Sequence, residues 1–176
     1  MKQQIKELKL DLKDQEWPKT YIDHDRDIVR AIVYDDEGYF YFVRIDRDDE
    51  FGKAAYIETS GGGVESGEDL ETAIRRELKE ELGADVDVIC KLAEVSDYYH
   101  LIHRHNINHY FLCKVKRFGE RQLTRYEAER FHMSTLRLTC DEAIKMYESG
   151  TAIKIGRLVA QRELPVLNYA KKWMGK

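Results

Sequence analysis

The sequence predicts a layered α+β domain in which strands come first, one helix follows, then longer strands, then helices again. Three observations carry that expectation. Runs rich in β-branched and aromatic residues at 28–34, 39–45 and 54–59 are separated by Asp, Glu and Gly clusters, as strands are by turns. Leu70, Ile74, Leu78 and Leu82 recur at every fourth position, so residues 69–82 form a helix with one apolar side. Two further strand-like stretches, 84–95 and 110–115, precede helical patterning from residue 141. At 176 residues the chain is long enough for one well-filled core and one domain.

Taken in order, Ile5, Leu8 and Leu12 stand three and four apart, which predicts a short amphipathic helix over 2–14, ending before Trp17-Pro18. It suits a fold accessory or a homodimer contact. Asp23 to Asp27 is a polar turn. Residues 28–34 and 39–45 form a hairpin closed by Asp35-Asp36-Glu37-Gly38, and Arg44, Arg47 and the acids of 46–50 make a second polar loop. The strand 54–59 delivers the chain into Gly61-Gly62-Gly63, where three glycines suggest close approach of backbone to a ligand or metal. Gly83 caps the helix that follows. Residues 84–95 read as a strand with an irregularity near Ile89-Cys90. Residues 96–108, dense in Tyr and His, read as a substrate-lining or partly exposed loop, with a satisfied core or edge role as the alternative. Phe118 to Arg125 is a basic connection, and Tyr126 to Phe131 carries Glu127 and Glu129. After a short strand at 136–138, Thr139 and Glu142 form a capping box for a helix over 141–148. Gly150 ends it. Thr151 caps another over 152–162, which Pro165 interrupts before a last turn at 166–173.

The chemistry concentrates on one helix. Glu77, Glu80 and Glu81 lie at i, i+3 and i+4, where their charges repel, and the last two sit in the final turn, where the helix dipole disfavours them. A divalent cation converts both penalties into attraction, and crowded carboxylate oxygens suit Mg²⁺ or Mn²⁺. A solvated acidic face is the plainer alternative. Arg76 lies two turns from Glu68, so it can reach back to that carboxylate and hold the glycine loop. His100, His103 and His105 raise a zinc reading, but no Cys accompanies them at metal spacing. Tyr98 and Tyr99 could stack on a base.

The formal charge of −4, from 29 basic and 33 acidic residues, argues against a nucleic-acid partner. No apolar run makes a signal peptide or membrane span, which leaves a cytoplasmic location as the expectation. Cys90, Cys113 and Cys140 are widely spaced, as core thiols in a reducing compartment are.

The spacing Gly62, Glu68, Arg76-Glu77-Leu78, Glu80-Glu81, Gly83-Ala84 resembles the Nudix box at every fixed position. Seven of these nine taken as fixed identities, at roughly 0.07 each, coincide about once in 10⁸ starts. The resemblance implies an α/β/α sandwich with a mixed β-sheet between helices, occupying residues 24–150. Residues 1–23 are then an N-terminal helical extension, and 151–176 a C-terminal helical extension on the same domain. It implies a divalent-metal-dependent hydrolase that cleaves the pyrophosphate linkage of a nucleoside diphosphate derivative. On that pattern Glu77, Glu80 and Glu81 hold Mg²⁺ or Mn²⁺ with backbone from Gly61 or Gly62, and the Glu68–Arg76 pair supports the helix. Glu127 is the favoured general base, with Glu129 and the box glutamates as alternatives. Arg44, Tyr98 and Tyr99 are the expected substrate contacts. Many members carry Pro-Gly-Gly where this chain has Ser60-Gly61-Gly62, a change that removes no ligand. A non-catalytic nucleotide sensor on the same fold is the alternative function.

Overall fold

The computed structural model describes residues 5–175. Its sheet contains β1 (Leu8–Asp11), β2 (His24–Tyr34), β3 (Phe40–Asp49), β4 (Gly52–Glu58), β5 (Ser60–Gly63), β6 (Ala84–Tyr99), β7 (Arg104–Phe118) and β8 (Ser134–Leu138). Helices α1 (Leu70–Leu82), α2 (Arg125–Glu129), α3 (Cys140–Gly150) and α4 (Lys154–Trp173) complete it. The strand order is β1-β6-β7-β2-β3-β4, with β5 added to β2 and β8 to β3. The sheet is mixed, since β1–β6 and β2–β7 are parallel and the other pairs antiparallel.

Both faces of the sheet are covered, which is why β2 is buried without a break from Ile28 to Val33. The box helix α1 packs on β5, β6 and β2, whereas α3 and α4 pack on each other and on β4. From the opposite side of β7, Tyr110 reaches Glu163 of α4. The result is the α/β/α sandwich that the box implied. One departure from regularity makes the cleft. β2 pairs with β3 only at Val33–Tyr41 and Tyr34–Phe40, and then takes β5 as its partner, while β3 continues with β4 and β8. The two halves splay apart between Ile28 and Ile45.

The N-terminal segment is not the helix expected over 2–14. Residues 2–4 lie outside the described residues, and Leu8–Asp11 is a strand whose Leu8 and Leu10 pair in parallel with Ala93 and Val95. Leu8, Leu10 and Leu12 turn inward while Lys9 and Asp11 stay exposed. This two-residue period, rewarded by a free edge of β6, prevails over the weaker three-and-four spacing. Nor is 96–108 a loop. β6 runs to Tyr99, a 3₁₀ turn spans His100–Ile102, and β7 starts at Arg104. The strand pattern is hidden there because its inward residues are polar and satisfy one another: Asn106 and Asn108 both donate to Asp97.

Thr139 and Glu142 form the expected capping box on α3. Thr151 closes α3 and does not open α4, whose N-cap is Ile153. α4 then runs through Pro165. Burial of Leu158, Val159, Val166, Leu167 and Ala170 outweighs the hydrogen bond the proline removes. One of three register shifts in β6 falls between Val88 and Cys90, where the sequence shows its irregularity. The three cysteines are free, two buried and one half-buried. Among the described residues no helix is long and apolar enough to cross a membrane.

Candidate active site

Asp69 opens α1 by accepting a hydrogen bond from the Thr72 N–H at 2.8 Å. The helix buries Ala73, Ile74, Leu78 and Leu82, and on the adjoining arc it also buries Glu77 and Glu81. Glu77 and Glu81 are one turn apart, about 40° around the axis, so they stack. Glu80 stands about 60° from Glu77 and 100° from Glu81. Accordingly, one carboxylate oxygen from each of Glu77, Glu81 and Glu127 lies within 4.8 Å of the others, and Glu80 is not among them. Glu80 leans instead toward Arg76, 3.4 Å away.

The glycine strand presses on this cluster. Glu81 Oε2 accepts from the Ser60 hydroxyl at 2.5 Å and from the Gly61 N–H at 3.0 Å. Any side chain at Gly62 would put its Cβ 2.5 Å from Glu77 Oε1, so only glycine lets the two elements meet. Burial pushes the Glu81 carboxyl up to about 8, with repulsion from Glu77 and Glu127 adding to it against the pull of Ser60 and Gly61. Burial raises Glu77 too, against its bond from Arg76.

Glu127 arrives by a series of local ties. Gly83 caps α1 in the left-handed region, φ 67°, and the chain after β7 lies directly on it. There the Gly119 N–H donates to the Gly83 carbonyl at 2.7 Å and the Gln122 N–H to the Glu80 carbonyl at 2.8 Å. Thr124 then opens α2 through a capping box with Glu127 itself. The sequence reads this segment as a polar loop. It is a short helix fastened to the end of the box helix, and Thr124 with Glu127 three residues on is the signal for it.

Arg76 ties the loop to the helix as its spacing suggests. It donates to both Glu68 oxygens, at 2.8 and 3.0 Å, to the Gly63 carbonyl at 3.1 Å and to Glu77 Oε1 at 2.7 Å. The Arg76 hydrogen bonds hold the Glu68 carboxyl down at about 2. Arg76→Ala is expected to cost about 1–3 kcal/mol, read as a fall in melting temperature of roughly 2–10 °C. Turnover should drop as a consequence, because Glu77 loses the group that orients it. A melt like that of the parent refutes the assignment.

The splayed strands enclose a cleft of about 400 Å³ beside the carboxylates, with Gly61, Gly62 and Gly63 in its wall. Of the three expected substrate contacts only Tyr99 lines it, and its hydroxyl accepts from Arg162 at 2.7 Å. Arg44 is a correction. Val43, Ile45 and Arg47 face the cleft, so the two-residue period turns Arg44 to the opposite surface, beside Met146 and Gly150. Tyr98 is another, by the same alternation. It stacks on His100 and His105 outside the cleft. Those histidines form no metal group among the described residues.

Several cleft residues went unforeseen. Arg47 sits between Phe51 and Phe131, 4.6 and 4.8 Å from their ring centroids, and its guanidinium bonds Asp49 and Tyr56. Beneath the floor is a charged network centred on Arg162, fully buried, which donates to Glu58, Asp97, Tyr99, Tyr110 and Glu163. Glu58 also pairs with Arg30 at 3.0 Å. A signal for Arg162 existed: it continues the helical stripe Ile155, Leu158, Val159 and precedes Val166, on the buried side.

Comparison with known proteins bears on this arrangement. No curated protein matches the sequence. A NUDIX hydrolase from Nitrosomonas europaea superposes with a TM-score of 0.65 over 85% of this chain and 90% of its own, at 18% identity. A MutT NUDIX hydrolase from Burkholderia pseudomallei gives 0.51 over 68% and 86%, at 20% identity. At such identities the likeness is one of fold. Residues 24–150 match the NUDIX domain, and this span contains the box, the glycine strand and Glu127. The chain therefore belongs to the Nudix family of pyrophosphohydrolases.

Proposed function

We propose that this protein uses Mg²⁺ or Mn²⁺ to hydrolyse the pyrophosphate linkage of a nucleoside diphosphate derivative. The observation that carries this is the convergence of Glu77, Glu81 and Glu127 at the mouth of a cleft of substrate size. The donor set fits a hard divalent cation. Its two ligand carboxylates, Glu77 and Glu81, are hard oxygen donors, both are buried, and burial has raised both carboxyls, a cost that a cation would remove. Glu77 and Glu81 would hold the ion, with the backbone of Gly61 and Gly62 at its side. Glu80, drawn to Arg76, would serve the outer edge of the site. Bound there, the metal supplies charge neutralisation for the phosphate oxygens and a more acidic water.

The residues of the chain divide the remaining work. The Ser60 hydroxyl and Gly61 N–H keep Glu81 aimed at the cleft, and Arg76 does the same for Glu77. Glu127 would take the proton from the attacking water, having one oxygen committed to the Thr124 N–H at 2.7 Å. Tyr99 and Tyr56 would line the organic part of the substrate.

The direct test is hydrolysis of a panel of nucleoside triphosphates, nucleotide sugars, ADP-ribose and dinucleoside polyphosphates. At least one should be cleaved with Mg²⁺ or Mn²⁺ and none in EDTA. No turnover with either metal would sink the proposal. Glu127→Gln should lower kcat by about 10²-fold or more and leave Mg²⁺ affinity unchanged. A matching loss of Mg²⁺ affinity would make Glu127 a ligand and not the base.

A further inference from the structure

Four arginines face one side of the cleft region, and they divide into two pairs. Strand alternation puts Arg26, Ile28 and Arg30 of β2 on the same face as Arg104, Asn106, Asn108 and Tyr110 of β7, which runs alongside in parallel. Arg30 and Arg162, at the floor, are neutralised by Glu58, Asp97 and Glu163. Arg26 and Arg104, nearer the mouth, are not. Among the described residues neither guanidinium makes an ion pair or a hydrogen bond, and Arg104 Nε is shielded from solvent without a partner. Arg104 lies over the Tyr99 ring at 5.5 Å. The one acid near it, Asp97, already accepts from Asn106, Asn108 and Arg162. Arg26 stands against Gly63, so close that a Cβ there would lie 2.6 Å from Nη2. Along β5 the neighbours are therefore Glu81 at Gly61, Glu77 at Gly62 and Arg26 at Gly63. The carboxylate cluster gives way directly to an unpaired cation.

The half-buried Arg104 guanidinium, its Nε shielded and idle, is costly unless something answers it, while Arg26 is exposed and its donors are free to turn to a ligand. The cleft has room for that partner, and it must bring several acceptor oxygens to satisfy two forks at once. We infer that Arg26 and Arg104 form an anion subsite for a terminal phosphoryl group, adjoining the carboxylate site. Such a group offers three non-bridging oxygens and a charge of about −2. A phosphate esterified on both sides offers two oxygens and one charge. The inference takes its ligand class from the pyrophosphohydrolase reading. It narrows the preferred substrates to those ending in a free phosphate, such as nucleoside triphosphates, over diphosphates capped on both sides by neutral groups.

The test is binding of inorganic phosphate to the full chain in EDTA at pH 7.5, followed by NMR titration, with dimethyl phosphate as the singly charged comparison. The parent should bind phosphate saturably and dimethyl phosphate at least tenfold more weakly. Arg26→Ala and Arg104→Ala should each weaken phosphate at least tenfold, Arg104→Lys less. Their melting temperatures should match or exceed the parent's, since each variant removes an unpaired charge. If Arg104→Ala fails to fold, Arg104→Gln serves in its place. Phosphate binding unchanged in both variants, or dimethyl phosphate bound as tightly, overturns the subsite. Hydrolysis of the panel with phosphate binding untouched by the variants rejects the subsite alone. Loss of phosphate binding in the variants of a protein that cleaves nothing rejects the hydrolase reading and leaves the subsite standing.

Discussion

Glu81→Gln is expected to lower turnover by at least about 10²-fold while leaving the metal-free protein as stable as the parent or more so. Glu77→Gln should do likewise. The two effects diverge because the carboxylate charge serves the reaction and opposes the fold. Glu81 is buried with Glu77 and Glu127 around it, and its carboxyl is pushed up to about 8 from an ordinary 4.5. A raised carboxyl means that the folded state binds the proton more tightly than the unfolded chain. Its contribution to stability is complete below about pH 4.5 and is lost as pH rises toward and through 8. Melts of the parent in EDTA should therefore fall across that window by an amount on the order of a few kcal/mol, and Mg²⁺ should restore them. Glu81→Gln should flatten the profile. A variant that melts well below the parent at pH 8 would make Glu81 a structural partner and not a ligand.

Arg162→Met is expected to produce the largest loss of stability. The guanidinium is fully buried and serves Glu58, Asp97 and Glu163 together with two tyrosine hydroxyls. Methionine preserves much of the volume, so the effect isolates charge and hydrogen bonding. Removing one partner from a buried set strands the others, at about 3–5 kcal/mol. For a chain of this size that lowers the melting temperature by about 6–20 °C. A shift under 3 °C would show that water or rearranged protons replace the arginine. Substrate affinity should fall as well, since Tyr99 and Glu58 line the cleft and lose their anchor.

What the sequence disclosed and what it hid follow from the physics of each pattern. The box helix was legible because Leu70 to Leu82 and Glu77 to Glu81 are local, set by helical period alone. So was the Glu68–Arg76 pair. Strands 28–34 and 54–59 were legible through their β-branched content. β1 was hidden because its partner, Ala93 to Ser96, is more than eighty residues away. The end of β6 and the start of β7 were hidden because Asp97, Asn106 and Asn108 face inward as a satisfied polar set, which imitates the composition of a loop. Arg44 and Tyr98 were misassigned for want of the strand phase, which a one-residue shift reverses. Glu127 was the sequence's candidate base, and the structure brings it beside Glu77 and Glu81, yet its route there depends on the Gly83–Gly119 contact, which has no local signature.

α4 lies outside the matched span 24–150, yet the floor of the cleft depends on it. A gene fragment ending at residue 150 would retain the box, the glycine strand and Glu127. It would also leave Asp97 without its guanidinium and Glu58 with Arg30 alone, both facing a vacated surface. The family segment here is not a portable cassette. Replacing the C-terminal helix of this chain would remove Arg162 and Glu163 with it, so the helix and the cleft floor cannot be altered independently.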